Sequence, residues 1–424
     1  MPTTAPPDLS GVDPPASVTA SVADVIRTKA VHTLFQPIVD LVSGEVVAHE
    51  ALARGPQGPL ESPAAMFGAA RSAGLLAELD QACLAAALRA AHARFETPST
   101  VFVNVEPEVL DFSSVGELAT ATAASGVRVV LEVTERAVAS RPAELLSTVA
   151  RVRELGWGVA LDDVGAESAS LAFMSLLLPD VVKLDLALVQ GSPTRATAEV
   201  MHAVNAYAER SGAWVLAEGI ETEAHLTAAR AFGATLGQGW MYGRPARAPV
   251  ATTACELELP GRGTPRPEGR AESLFELLPP GTRVLRSPKR LLIELSKQLE
   301  REAARIGETC VLAAAFQHAR HFTPSTQTRY RELAERTGFV CALGEGLPEE
   351  PLAGVRGATL HRDDPVQGEW DVTVLSPHFS TALLARDLGD DAPDMERMFE
   401  YALTYERPTV VEATRSLLAR VTGL

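Results

Sequence analysis

Between about Ala23 and Ala248, short β-branched runs alternate with longer Ala/Leu-rich segments, and this alternation constrains the fold more than any other feature of the chain. The strand-like runs begin near Thr33, Glu45, Val101, Val127, Gly158, Val181, Trp214 and Thr235. Helical periodicity fills most of the gaps, as in Ala64 to Ala73, Glu78 to Ala93, Pro142 to Leu155, Arg195 to Ser211 and Glu223 to Phe232. Repeated βα units build parallel sheets, and eight of them close a barrel. One connection differs. Val42-Ser43-Gly44 is too short for a crossover, so the first two strands form a hairpin and pair antiparallel. The expected fold class is α/β: a modified (β/α)8 TIM-like barrel with one antiparallel strand, followed by a smaller mixed α/β domain.

A chain of 424 residues exceeds one ordinary domain. Residues 1–22, rich in Pro, Thr and Ser near the start, read as a disordered leader without the apolar core of a signal peptide. Residues 23–248 form the barrel, and 249–272 a Pro/Gly/Arg-rich linker. Residues 273–424 form the second domain, with helices near Leu291 to Ile306, Arg329 to Thr337 and Val410 to Val421, and strands near Cys310 to Phe316, Phe339 and Val372 to Leu375. A composition 46% hydrophobic and 22% charged, with no bilayer-length apolar run, predicts a protein without a membrane span. Cys83, Cys255, Cys310 and Cys341 lack paired spacing, which predicts reduced thiols and a cytoplasmic location. A net charge of −16 opposes binding to nucleic-acid polymers or anionic lipid.

The chemistry-bearing residues stand at the ends of the strand-like runs. Glu50, Asn104, Glu132, Asp162-Asp163, Lys183, Glu218 and Gln238 each close or follow an apolar stretch. A single acidic residue means little, because most are a solvated face. Several carboxylates at the same ends of neighbouring strands are costly to bury unless cations pair with them. Oxygen ligands of this kind suit Mg²⁺ or Mn²⁺ rather than zinc. Lys183 would place a cation in this cup to orient a water or a phosphate oxygen, or serve as a structural counter-ion for Asp163 or Asp185. A paired-metal site fits in-line attack on phosphorus, while proton abstraction beside a carboxylate, as in enolase-type enzymes, stays open on spacing alone.

These residues sit within a longer series: Phe35-Gln36-Pro37-Ile38, Glu50-Ala51-Leu52-Ala53-Arg54, Asn104, Glu132-Val133-Thr134-Glu135, Asp162-Asp163-Val164-Gly165, Lys183-Leu184-Asp185, Ala217-Glu218-Gly219-Ile220-Glu221 and Gln238-Gly239. The ordered series resembles the EAL family of cyclic di-GMP phosphodiesterases. The resemblance implies hydrolysis of cyclic di-GMP to linear pGpG, with Glu50, Asn104, Glu132, Asp162, Asp163 and Glu218 holding two Mg²⁺ or Mn²⁺ ions. It implies that Lys183 orients the attacking water. Gln36, Leu52, Arg54, Asp185 and Gln238 would contact the nucleotide, and Glu135 and Glu221 would support the catalytic set. It further implies a homodimer. The loop after Asp163 departs from the family pattern, with Ala166-Glu167 in place of a Thr-Gly step.

The C-terminal part resembles the DICT sensory domains through Ser376-Pro377-His378-Phe379-Ser380, Leu383-Leu384-Ala385 and Phe399-Glu400-Tyr401-Ala402-Leu403-Thr404-Tyr405. The resemblance implies a regulatory role with an unknown ligand or protein partner. Trp370, Phe379, Phe399 and Tyr405 are expected in a core rather than a ligand cage, and His318 and His321 are expected to be ordinary histidines. The rival to an enzyme is a non-catalytic receptor for cyclic di-GMP that signals through the second domain.

Overall fold

A computed structural model describes residues 16–95, 99–106, 126–134, 141–166, 170–250, 257–260 and 273–422. The first unit contains α1 (Ala16–Arg27), β1 (His32–Asp40), β2 (Val46–Arg54), α2 (Pro63–Ala73), α3 (Leu76–Arg94), β3 (Ser99–Asn104), β4 (Val127–Thr134), α4 (Pro142–Glu154) and β5 (Gly158–Val164). It continues with α5 (Ser170–Leu177), β6 (Val181–Leu184), α6 (Leu186–Gln190), α7 (Arg195–Ser211), β7 (Trp214–Ala217), α8 (Glu223–Ala231) and β8 (Leu236–Gln238). The eight strands close in sequence order. β1 runs antiparallel to both β2 and β8, and every other pairing is parallel.

Local chemistry sets the helix limits. Ser62 caps α2 by accepting from the Ala65 amide, Pro63 supplies the helical φ at its first position, and Gly74 ends it at φ 68°. Thr194 and Thr197 cap α7 reciprocally, and Gly212 closes it at φ 70°. Helix α1 begins at Ala16, inside the stretch expected as a leader. Val22 and Val25 are buried against Leu79 and Met66, so an apolar stripe there outweighs the polar composition before it.

The barrel interior is plugged by Ile38, Ala48, Phe102, Val130, Ala160, Val181, Leu216 and Leu236. Leu257 joins that plug, so within the stretch expected as a linker residues 257–260 pack against the barrel. Arg128 donates to the Leu257 carbonyl at 2.6 Å, and Trp214 Nε1 to the Glu258 carbonyl at 2.7 Å. Leu259 lies so close to Gly158 that a Cβ there would meet its Cδ1 at 2.5 Å.

The second unit comprises β9 (Leu285–Pro288), α9 (Lys289–Ile306), β10 (Val311–His318), α10 (Pro324–Ala334), β11 (Phe339–Glu345), β12 (Arg356–Ala358), β13 (Glu369–Leu375), β14 (Ser380–Asp387), β15 (Met398–Thr404) and α11 (Arg407–Leu418). Its strands form one seven-stranded sheet in the order β12-β11-β10-β13-β14-β15-β9. One face of the sheet packs on α9 and α10, through Leu292, Leu299, Tyr330, Leu312 and Val372. The other face packs on α11, and its apolar cluster continues without a break into the barrel's helices. Phe173 on α5 meets Phe339 edge-to-face at 5.7 Å, and Arg407 donates to Ser175 Oγ at 2.7 Å. Arg210 on α7 donates to the Pro377 carbonyl, and His202 stacks against His378 at 4.1 Å.

Of the aromatics expected in a core, Phe399 is fully buried, while Tyr405 is 61% exposed and the Trp370 indole borders a cavity. Trp370 still packs edge-to-face on Phe399 and the core around it, as expected, whereas Tyr405 departs from expectation because it stands just beyond the end of β15. His318 pairs with Glu345, and His321 Nδ1 lies 3.0 Å from the Phe316 carbonyl oxygen. Cys83, Cys310 and Cys341 are buried free thiols, and Cys255 lies outside the described residues. No helix among the described residues is long and apolar enough to cross a membrane.

Candidate metal centre

Side chains alternate along a strand, so a residue two positions beyond an interior plug residue also faces the barrel axis. Applied to the plug, this rule generates the site. Ala48 leads to Glu50, Phe102 to Asn104, Val130 to Glu132, Ala160 to Asp162, Val181 to Lys183, Leu216 to Glu218 and Leu236 to Gln238. Strand β1 runs the other way, so Gln36 precedes Ile38 instead of following it, and its register sets Gln36 opposite Glu50. The polar layer lies at the C-terminal ends of the parallel strands, where barrel chemistry is placed.

At its centre stands Lys183, 1% exposed. Its Nζ lies 2.6 Å from Glu132, 2.9 Å from Asp162, 2.8 Å from Glu218 and 3.9 Å from Glu50. Neither Asp163 nor Asp185, the counter-ions considered from spacing, is among these partners. Glu50 is held from both sides. Its Oε1 accepts from Asn104 Nδ2 at 2.9 Å, and its Oε2 from Gln238 Nε2 at 2.6 Å. Gln238 Nε2 also lies 3.2 Å from Gln36 Oε1, and Gln36 donates to the Gly243 carbonyl. A Cβ on Gly239 would lie 2.1 Å from the Ile220 carbonyl oxygen, so only glycine lets the chain after Gln238 pass so close.

Were all four carboxylates ionised, the single ammonium would leave three negative charges in a buried cup, so burial holds protons on some of them. Burial pushes Glu132 well above the usual carboxylate range despite Lys183, and pushes Glu218 up to about 7. Burial also opposes ionisation of Glu50, but Lys183 and the two amides outweigh it and lower its pKa. Lys183 resists burial in the same way, with the surrounding carboxylates holding it charged. Glu132 Oε2 is buried with no hydrogen-bond partner among the described residues. One oxygen from each of Asp162, Asp163 and Glu218 falls within 4.8 Å of the others. Asp163 takes φ 57°, a conformation disfavoured for a residue with a Cβ. Carboxyls that burial keeps from ionising, an orphaned oxygen and an all-oxygen donor set fit hard divalent cations.

The remaining expected residues are dispersed. Leu52 lines a cavity of about 370 Å³ that opens beside Glu50, Asn104 and Glu132. Arg54 ends β2 with its guanidinium on the Ala53 carbonyl. Asp185 caps α6 through the Ala187 amide, and Glu221 is exposed, its amide 3.3 Å from His225 Nδ1. Glu135 and Glu167 lie outside the described residues. Asp80 on α3 was not anticipated from the sequence. It lines the same cavity, 2% exposed, and burial raises its pKa to about 8. The signal was an acid at an apolar position of the α3 periodicity, between Leu79 and Cys83.

A model of the EAL domain matches residues 19–245, more than half of the chain. The chain belongs to the EAL-domain family. A second model, the sensory domain in diguanylate cyclases and two-component systems (DICT), matches residues 271–388. Among relatives, the cyclic di-GMP phosphodiesterase NbdA of Pseudomonas aeruginosa is 32% identical over 52% of this chain and 29% of its own length. The probable cyclic di-GMP phosphodiesterase PdeB of Escherichia coli is 29% identical over 52% of this chain and 44% of its own. The chain thus spans less than half the length of these relatives. Among solved structures, the calcium and cyclic di-GMP complex of Klebsiella pneumoniae BlrP1 aligns with a TM-score of 0.47 at 28% identity, covering 51% of this chain and 56% of that one. A manganese complex of the same protein aligns equally well.

Proposed function

We propose that this EAL-family chain is a phosphodiesterase that opens cyclic di-GMP to linear pGpG. The observation that carries the reading is the buried cup of Glu50, Glu132, Asp162 and Glu218 gathered around the single ammonium of Lys183. Glu50, Asn104, Glu132, Asp162, Asp163 and Glu218 would hold two Mg²⁺ or Mn²⁺ ions. When bound, such ions lower the pKa of water and neutralise charge on the phosphoryl oxygens.

The chain's own residues do the rest. Asn104 and Gln238 fix the Glu50 carboxylate so that it does not rotate as charge develops. Lys183 gives its three N–H donors to Glu132, Asp162 and Glu218, and would turn one of them to a nucleophilic water or a phosphate oxygen once cations share those carboxylates. Gln36, Leu52, Arg54, Asp185 and Gln238 would contact the nucleotide, and of these Leu52 lines the cavity beside Glu50. Glu135 and Glu221 would brace the ligands. A homodimer in the cytoplasm and control by the C-terminal unit through α5 belong to this reading, because α5 follows the Asp163 loop and carries the contacts of Phe173 and Ser175.

Purified full-length protein incubated with cyclic di-GMP and Mn²⁺ should yield pGpG, read by chromatography. Binding without product at any enzyme concentration would sink the enzymatic reading and leave a receptor. Sedimentation of the same sample tests the dimer.

A further inference from the structure

The face of the C-terminal sheet turned away from the barrel holds a cavity of about 300 Å³, between α9, the start of α10 and strands β10 and β13. That volume is at the small end of the range for organic ligands. Phe316, Val372 and the Trp370 ring give it an apolar wall. Two polar atoms in its lining residues, Ser296 Oγ and Trp370 Nε1, are shielded from water and have no hydrogen-bond partner among the described residues. Leaving one such group unpaired costs roughly 1–3 kcal/mol, and two in the walls of one cavity are explained if a ligand atom meets them. An indole N–H only donates, so that atom must accept.

The charges around the cavity are uneven. Glu300 is engaged by Arg329 at 2.5 Å, and Asp394 by Lys289 at 2.7 Å. Arg320 borders the cavity without an acidic partner among the described residues, its Nε only 3.4 Å from His321 Nε2. Arg320 is exposed at the cavity's border and its Nε donates to His321 Nε2, which leaves its two terminal nitrogens to bind a carboxylate.

We propose that this cavity is a ligand site for a small planar organic carboxylate with a second acceptor at its far end, a hydroxy-aromatic acid in class. The carboxylate meets Arg320, the ring packs on Phe316 and Val372, and the far oxygen takes the N–H of Trp370 and the hydroxyl of Ser296. The site is independent of the catalytic reading, because no residue of the barrel takes part.

Calorimetric titration of the full chain with 4-hydroxybenzoate tests it. We expect saturable binding, at least about tenfold weaker for the neutral 4-hydroxybenzamide and for Arg320→Ala. Trp370→Phe keeps a ring and removes the N–H, and should weaken binding several-fold, while near-ultraviolet circular dichroism checks that both variants are folded. The proposal fails if 4-hydroxybenzoate, salicylate and indole-3-carboxylate all give no saturable heat at millimolar concentration. Equal affinity for acid and amide, or binding unchanged by Arg320→Ala, overturns it as well.

Discussion

Two buried ionic clusters in this molecule have opposite characters. In the C-terminal unit, Arg420 forms a two-pronged pair with Asp364, both contacts at 2.9 Å, and its remaining nitrogen donates to the Ser416 carbonyl and hydroxyl. The pair itself matches one charge to one, Asp364 Oδ1 also accepts the Val366 amide, and burial raises the pKa of the neighbouring Glu369 and Asp371 carboxyls. In the barrel, Lys183 faces four carboxylates, and one Glu132 oxygen is left over. Balance marks a structural clamp between α11 and the turn at 364, since breaking it is costly and nothing else is needed to complete it. A carboxylate cup with a single ammonium is the arrangement that divalent cations would complete.

The sharpest way to break this contrast is substitution on each side. Glu50→Ala should lower turnover of cyclic di-GMP by roughly a thousandfold or more, by removing a ligand held by two amides. Near-normal rates in single-turnover assays would show that the cup is not the reaction centre. Asp364→Ala should instead leave the chemistry intact and cost about 3–5 kcal/mol of stability in a urea titration, because the buried Arg420 loses its two-pronged carboxylate partner. A loss below about 1 kcal/mol would remove the clamp role.

Added Mn²⁺ sharpens the comparison without any assay of activity. At about a hundred times its dissociation constant, a cation bound only by the folded state adds about 2.7 kcal/mol of stability. Asp364→Ala should keep that gain, and Glu50→Ala should lose most of it. The gain should also depend on pH. Glu218 is raised to about 7, so without metal the folded cup retains a proton that the unfolded chain has released. Stability of the metal-free protein should therefore fall as pH rises from about 4.5 to 7, and Mn²⁺ should restore more of it at pH 8 than at pH 6. A gain independent of pH would place the ions elsewhere.

The smallest effect is expected at Asp80. Its carboxyl is raised to about 8, so it destabilises the fold increasingly as pH climbs from about 4 towards 8. Asp80→Asn should gain roughly 1–2 kcal/mol at pH 8 and little at pH 4.5, read from thermal melts. A loss of stability would mean that the charged form has a partner.

Much of the barrel was legible because two signals are local. The strand starts follow from β-branched runs, and the reversed strand from the three residues after Leu41. The site was legible for a subtler reason: in seven strands the polar residue stands two places after an apolar one that fills the barrel. Gln36 hides from that rule by preceding Ile38, because its strand runs backwards. In the C-terminal unit β14 escaped notice, since Thr381 to Ala385 is buried on both faces and shows no alternation to separate strand from helix. Asp80 and the Trp370 indole were hidden by composition, each resembling an ordinary member of its element until the cavity beside it is seen.

The unbroken apolar cluster behind the sheet limits how such a chain can be rearranged by recombination. Val311, Ala313 and Phe339 on the sheet and Phe173 on the barrel belong to one interior. A crossover in the segment 261–272 would deliver two pieces that each show water half of a core, so neither is a free-standing cassette. A sensory unit exchanged for another would have to bring a matching wall for α5, and the barrel and its companion are expected to travel through lineages as a single inherited piece.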